Sequence, residues 1–352
     1  MYKFFLILFL SVSLQLSSQI NTQLLANSSW TRVKFSMLDG SRDLSQMPSQ
    51  VLVWKIKGNN LCENIDPWFV NRNKCINFKL ENNLIKLSDK ASYQIETLTP
   101  DSLVVVQRIA GIDFPDKIKR FRFVKTSVLV KKFTDREKSD SIVINSRNVT
   151  PTLTKNIISE MMNVYLDKNY THDFILDGDI LIYPNKQEVE VKMDDKKRTR
   201  GNQRGIDLFK KTLQNNFNVW DITGFENFEK IIIPYHFYSK AEAGSGSSFA
   251  FYNKVSDNEP QKIIVKIKNK FASTDNFNKG MDALNKQKFD NAIYFFNEAY
   301  DNDNTNTDAL YNIVSISLAQ NKSDIACTAL KKLNDLEQTE GAKLYSEKCA
   351  EK

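Results

Sequence analysis

The sequence predicts a multidomain chain with an antiparallel, β-rich N-terminal barrel or sandwich, an α+β middle domain and an all-α C-terminal module. Three observations carry that expectation. Short runs of β-branched and aromatic residues recur between turn residues through about 26–145. Helix-period and strand-period segments then alternate over about 150–270. From Ser273 onward only helical periodicity remains, and it recurs at a fixed spacing. The 352 residues are 41% hydrophobic and 26% charged, which excludes a wholly disordered or fibrous chain. At ~100–200 residues per domain, two or three domains are expected. With only 11 Gly and 8 Pro, collagen and Pro-rich stalks are excluded as well.

The chain opens on a basic Met1-Tyr-Lys3 and an apolar run from Phe4 to Leu16, followed at once by Ser17, Ser18 and Gln19. A membrane-spanning helix needs ~20 apolar residues, so the run is too short for a stable anchor. Residues 1–19 therefore read as a secretory leader cut near Ser18–Gln19; the alternative is a retained hydrophobic N-terminus. No cysteine follows the run to carry a lipid, and no later window resembles a membrane span. The expectation is an exported chain, periplasmic or outer-membrane-associated, with no transmembrane segment after cleavage. Export favours disulfides for an even cysteine count, here Cys62, Cys75, Cys327 and Cys349. Three pairings are open. The local one is the simplest, and Cys327 with Cys349 would then close a loop worth ~3 kcal/mol on the chain-entropy model.

In the first domain, 20–147, Val51–Lys57, Cys75–Leu80, Ser102–Gln107 and Arg120–Val124 read as strands. Apolar and polar residues partly alternate in 51–57 and 75–80, as in a sheet with one face in a core. The spacing suggests an antiparallel meander closing on itself. The opening Asn27-Ser-Ser-Trp30 ahead of successive strands is similar to bacterial lipocalin-like domains. That resemblance implies a barrel that encloses an apolar ligand, although a tryptophan near a first strand is more often a core plug.

The second domain, 148–270, reads as a helix over Leu153–Leu166, strands at Asp173–Tyr183 and Gln187–Met193, a helix at Ile206–Asn215, then strands at Lys230–Tyr238, Ser248–Asn253 and Lys262–Lys268. Pro184-Asn185 and Asp177-Gly-Asp179 read as turns. Ala241–Ser248 lacks the Lys-Ser/Thr ending of a phosphate-binding loop and reads as a connector. Through the helix around Phe209–Phe217 and the strands after it, this segment is faintly similar to a TonB-type C-terminal domain. The Tyr-Pro and Gly-rich strand motifs of that domain are missing here, which argues against energy transduction.

The third domain, 271–352, holds two units of 34 residues, 273–306 and 307–340. Phe277, Asn278, Gly280, Leu284, Phe289, Ala292, Phe296 and Ala299 of the first are matched in offset by Tyr311, Asn312, Val314, Leu318, Ser323, Ala326, Leu330 and Leu333 of the second. This pattern resembles the tetratricopeptide repeat, in which small residues let paired helices approach and large apolar ones fill between them. Val314 and Leu333 stand where the family has small residues, so looser packing is expected in the second unit. Gly341–Lys352 reads as a capping helix. Two such units with Cys327 and a terminal Cys349 look like the tails of certain Gram-negative envelope proteins. The resemblance implies a groove for an extended peptide or protein partner, lined by Phe277, Met281 and Leu284 from the first unit and Tyr311, Ser315 and Leu318 from the second. The groove is neutral to apolar, so a partner held by apolar contacts is expected over an acidic C-terminus.

Catalytic chemistry has little to draw on with two histidines. His172-Asp173 with Asp177 and Asp179 is the one local histidine–carboxylate cluster in the sequence, and no motif supplies it with a nucleophile or a metal. His236, inside an apolar run, reads as a packed or edge histidine. No metal set, cofactor motif or catalytic residue is predicted. Residues 273–352 hold 9 basic and 13 acidic side chains, so of the net +7 this segment carries −4 and the rest of the chain +11. The basic clusters at Lys117–Lys125 and Lys192–Arg204 read as a strand face and a mobile loop; charge of this sign can attract anionic envelope polymers or lipids. Nucleic acid is not expected as a partner. The expected function is thus a non-enzymatic envelope scaffold that binds a protein through its C-terminal module. The alternatives are an apolar-ligand carrier and an envelope hydrolase.

Overall fold

The computed structural model describes residues 20–44, 51–64, 74–144, 149–168, 173–194, 202–214, 216–239, 247–251 and 265–349. Residues 1–19, read above as a leader, lie outside the described residues, as do His172, Lys196, Lys197, Arg198, Arg200 and most of the 241–248 connector.

The N-terminal strands are β1 (Ser28–Met37), β2 (Val53–Lys57), β3 (Asn60–Asn64), β4 (Lys74–Asn77), β5 (Lys79–Glu81), β6 (Leu84–Lys86), β7 (Ala91–Leu98), β8 (Ser102–Ile109) and β9 (Lys119–Lys125). Every pairing among them is antiparallel, in the order β4-β3-β2-β1-β9-β8-β7-β6-β5. The two edge strands, β4 and β5, are separated in the chain by Phe78 alone. The sheet therefore curls until its edges meet, forming a nearly closed barrel. A short 3-10 helix, Thr22–Leu25, leads into β1, where Ser28 accepts the Trp30 indole N–H at 2.7 Å. The Cys62–Cys75 disulfide bridges directly opposed residues of β3 and β4.

With β4 and β5 counted as one wall position broken at Phe78, the nine strands give eight positions, which leave an interior only wide enough for side chains or one small ligand. Here aromatic residues occupy it. Trp54 lies 4.4 Å from Phe123 and 4.8 Å from Tyr93 between ring centroids, and Tyr93 meets Phe121 edge-on at 6.0 Å. Trp30, Ile56, Leu61, Ile85, Ile95, Leu103 and Val105 complete the core.

The end of the stretch predicted as β is a helix, α1 (Thr126–Thr134). Its Val128-Leu-Val130 run suggests a strand by propensity. Tertiary packing overrides this: Leu129, Val130 and Phe133, all on one helical face, rest against the core of the second domain. Lys131 and Lys132 in the last turn complement the helix dipole.

The second domain contains β10 (Ser141–Val143), β11 (Thr152–Leu153), α2 (Ile157–Asp167), β12 (Phe174–Tyr183), β13 (Glu188–Met193), α3 (Gln203–Gln214), β14 (Trp220–Asp221), β15 (Lys230–Ser239) and β16 (Ser247–Phe251). β15 is central: β12 flanks it on one side, with β13 beyond, while β10 (parallel) and β16 (antiparallel) share the other. Tyr165 of α2 donates its hydroxyl to Gly205 O at 2.8 Å, and Phe209 of α3 packs 4.5 Å from Phe237. Val51 and Val53 from the barrel join this core. Three expectations are corrected. The predicted helix start, Leu153, pairs in β11 instead, and α2 begins at Ile157. Asp177-Gly-Asp179 is no turn but the middle of β12; a Cβ on Gly178 would sit 2.1 Å from Lys192 O, so glycine here admits a close neighbouring strand. Of the predicted strand 262–268, the described part makes only an isolated bridge, Ile267 with Asp303.

The C-terminal helices α4 (Lys270–Asn285), α5 (Phe289–Asn302), α6 (Thr307–Ala319), α7 (Ser323–Asp335) and α8 (Thr339–Cys349) pack as successive hairpins around Ala292, Phe296, Ala299, Leu310, Ile313, Leu330 and Leu333. Asn269 and Asn306 cap α4 and α6 by accepting backbone N–H groups. Gln287, Asn321 and Glu337 close α4, α6 and α7 with positive φ. The second unit is not loose. Val314 and Leu333 are buried, and the bulk of Leu333 is received by Gly341 at the start of α8, where a Cβ would lie 2.4 Å from Leu333 Cβ. The Cys327–Cys349 disulfide ties α7 to α8.

A Cβ on Gly280 would fall 2.7 Å from the Phe296 ring. Gly280→Ala should therefore destabilise the α4–α5 hairpin by about 1–3 kcal/mol through overpacking, despite alanine's better helix propensity. Urea denaturation followed by far-UV circular dichroism measures it. A stability equal to or above that of the parent would show that the ring moves aside.

Candidate binding surface

Of the six residues predicted to line a groove, five serve partly as packing. Phe277 lies 5.4 Å from Phe296 between ring centroids, and Met281, Leu284 and Leu318 are half-buried against the helical core. Tyr311 is half-buried too, and its hydroxyl accepts the Gly341 N–H at 3.2 Å. Burial raises its pKa; that bond lowers it, and Asp39, Glu340 and Asp116 raise it further. Ser315 is exposed and donates to Tyr311 O one turn back. The half-buried members still present apolar edges to solvent, so α4 and α6 carry a surface that could receive an apolar segment.

The helical block also touches the barrel through a segment that nothing in the hydrophobic pattern marks. Strands alternate in direction around an up-and-down barrel, so the β1–β2 and β8–β9 connections emerge at the same end. From that end, the β1–β2 connection reaches the α7–α8 turn. Arg42 N–H donates to Glu337 O at 3.0 Å, Gln338 Nε2 donates to Arg42 O at 3.1 Å, and Thr339 N–H donates to Ser41 Oγ at 2.9 Å. The Arg42 guanidinium lies 3.6 Å from the Glu337 carboxylate, and Leu44 packs on the helical core. Lys117 of the β8–β9 connection reaches both Asp308 carboxylate oxygens at the start of α6. Burial would lower the Lys117 pKa, but Asp308 and then Asp116 outweigh it and raise it.

The same connection is latched to the barrel. Asp43 is buried, and its Oδ2 lies 2.6 Å from Lys119 Nζ. Leu38 N–H donates to Ile118 O at 2.7 Å. Below them, Arg32 stacks over the Phe35 ring at 4.5 Å; burial lowers its pKa, while Asp43 and Glu63 hold it up. The Tyr93 phenol, whose pKa is raised by burial and by Glu63, donates to the Glu63 carboxylate at 3.5 Å. The N-terminal barrel therefore ends in a cluster of buried and half-buried charges covered by its own connection.

His236 and Asp177 are the histidine–carboxylate pair that the fold brings together, with Nδ1 2.7 Å from Oδ1. His236 is on the central strand β15 rather than at an edge, opposite Asp177 of β12. Its side chain is 36% exposed, so it is not packed away either. Among the described residues, no group of three or more His, Cys, Asp or Glu side chains is placed to hold a metal. No described helix is long and apolar enough to cross a membrane.

No family model, curated protein or solved structure matches the chain.

Removing one partner of a buried ion pair is strongly destabilising, whereas replacing both by apolar groups is close to neutral. Asp43→Ala should lower stability by about 3 kcal/mol, and Asp43→Leu combined with Lys119→Met should recover most of it. Chemical denaturation of the three variants decides this; an equal loss in the double variant would assign the effect to the loop backbone rather than to the charge pair.

Proposed function

We propose that this is an exported, non-enzymatic protein of the cell envelope whose C-terminal helices form two tetratricopeptide repeats with a capping helix and bind a protein partner. The observation that carries the reading is the way the helical block already holds a non-helical piece of the chain, through main-chain bonds at Arg42 and an apolar contact at Leu44. A stacked pair of hairpins with half-buried Phe277, Met281, Leu284 and Leu318 on its first helices suits an apolar peptide segment. Two disulfides are compatible with export to an oxidising compartment. In this reading the leader, 1–19, is removed, and the barrel and α+β domain position the helices.

The carrier reading rests on the resemblance of the barrel to lipocalin-like domains, and the aromatic core weighs against it for any sizeable apolar ligand. One atom speaks for a small occupant. Trp54 Nε1 is buried with no acceptor among the described residues, a situation costing about 1–3 kcal/mol that a small hydrogen-bond acceptor would relieve. A hydrolase would have to be built on the His236–Asp177 pair, and the sequence carries no nucleophile motif to go with it.

Ser315 tests the partner reading with little structural cost, because its side chain is exposed and bonded only within its own helix. Ser315→Arg should leave the circular dichroism spectrum and melting temperature unchanged while abolishing capture of partners from envelope extract by the tagged full chain. An unchanged set of captured proteins would sink the groove hypothesis.

A further inference from the structure

We infer that Ser41–Leu44, the stretch that follows the Leu38–Gly40 turn of the β1–β2 connection, is a ligand in cis of the helical block, and that it shows the pattern a partner would carry: an irregular peptide segment with a hydroxyl residue, a basic residue directly after it, and an apolar residue two positions further on. The inference rests on the peptide-binding reading above and specifies its ligand.

The contacts divide as they do when a protein recognises a peptide. At Arg42 both main-chain groups are taken, the N–H by Glu337 O and the C=O by Gln338 Nε2. This pair of bonds reads the backbone whatever its side chain. Side chains add the selection on either side. Ser41 supplies a hydroxyl oxygen to the Thr339 N–H at the first residue of α8, where a helix leaves its N–H groups without internal acceptors. The Arg42 guanidinium faces Glu337, in a block of net charge −4, so a basic residue suits this position and an acidic one does not. Leu44 adds an apolar anchor.

The receiving groups are built for the contact. Gln338 is buried, and its Nε2 is oriented by a second bond to Leu336 O at 3.0 Å. Glu337 takes a positive φ of 57°, which turns the α7–α8 corner and presents its carbonyl to Arg42. Tyr311 accepts the N–H of Gly341, two residues after Thr339, so the corner that holds the cis segment borders the surface predicted for a partner at that residue.

Because Asp43, the next residue, is latched to Lys119, the segment is tethered at high effective concentration. A partner with the same pattern has to displace it. Its apparent affinity is reduced by the fraction of molecules in which the segment is released.

The test compares the full chain with its Ser41→Ala/Arg42→Ala double variant. The probe is a fluorescein-labelled synthetic peptide of residues 37–47, read by fluorescence anisotropy, with hydrogen exchange at the Thr339 amide as the report on release. The double variant should exchange Thr339 at least about tenfold faster and bind the peptide at least about tenfold more tightly than the parent. A peptide with alanine in place of its arginine should bind each protein about two- to fivefold more weakly than the unaltered peptide. Unchanged exchange at Thr339 overturns the inference, because these side chains would not be holding the segment. So does faster exchange with equal or absent peptide binding, because the contact is then passive packing. These failures leave the broader reading standing if Ser315→Arg still abolishes partner capture. An indifferent Ser315→Arg removes that reading whatever the peptide does.

Discussion

The unpaired edge of a β-sheet is a row of main-chain donors and acceptors that must find partners, and the N-terminal sheet meets this demand by closing on itself across Phe78. Much else depends on that closure. It fixes the interior at a width that Trp54, Tyr93, Phe121 and Phe123 fill, and it sorts the connections between two ends. The tight turns and the Thr22–Leu25 helix lie at one end. The longer connections, including Leu38–Leu44 and the one carrying Lys117, lie at the other and meet the helical block. An open sheet of the same strands would have two free edges and no end from which to project these segments together.

The barrel is also joined to the second domain by its outer face. Val51 and Val53 share a core with β12, β15 and the helices α2 and α3, and α1 lays Leu129, Val130 and Phe133 on the same core. A Cβ on Gly224 would lie 2.5 Å from Val130, so a glycine lets the chain pass under α1. The outward residues of one barrel strand thus do the work of a domain interface. Apolar residues on both faces of β2, including Trp54 and Ile56 inside, follow from that position.

The legible parts of the sequence were those in which period and partner lie close along the chain. Gly280, Ala292, Phe296 and Ala299 recur at helical spacing and pack against their nearest neighbours, so the C-terminal hairpins were readable residue by residue. The hairpin β12–β13 was legible for the same reason. Misreadings came where distant contacts decide. Val128-Leu-Val130 has strand propensity, but its environment is a core assembled from residues far along the chain. Asp177-Gly-Asp179 looks like a turn until β13 is seen to press against Gly178. The Ser41–Leu44 contact had no periodic signature at all, being short and bonded largely through the main chain. A weak signal was present in the charges: Arg42 belongs to the basic part of the chain and Glu337 to the acidic one.

That charge division has a physical consequence for the docked segment. The cation–carboxylate contacts between barrel and helices, Arg42 with Glu337 and Lys117 with Asp308, are substantially exposed on at least one side, and exposed pairs of this kind contribute little to stability. What holds the two parts together is instead the set of main-chain bonds at Arg42, the Ser41–Thr339 bond and the burial of Leu44. If a partner competes for this corner, as proposed above, charge governs which segment approaches and the backbone contacts govern whether it stays.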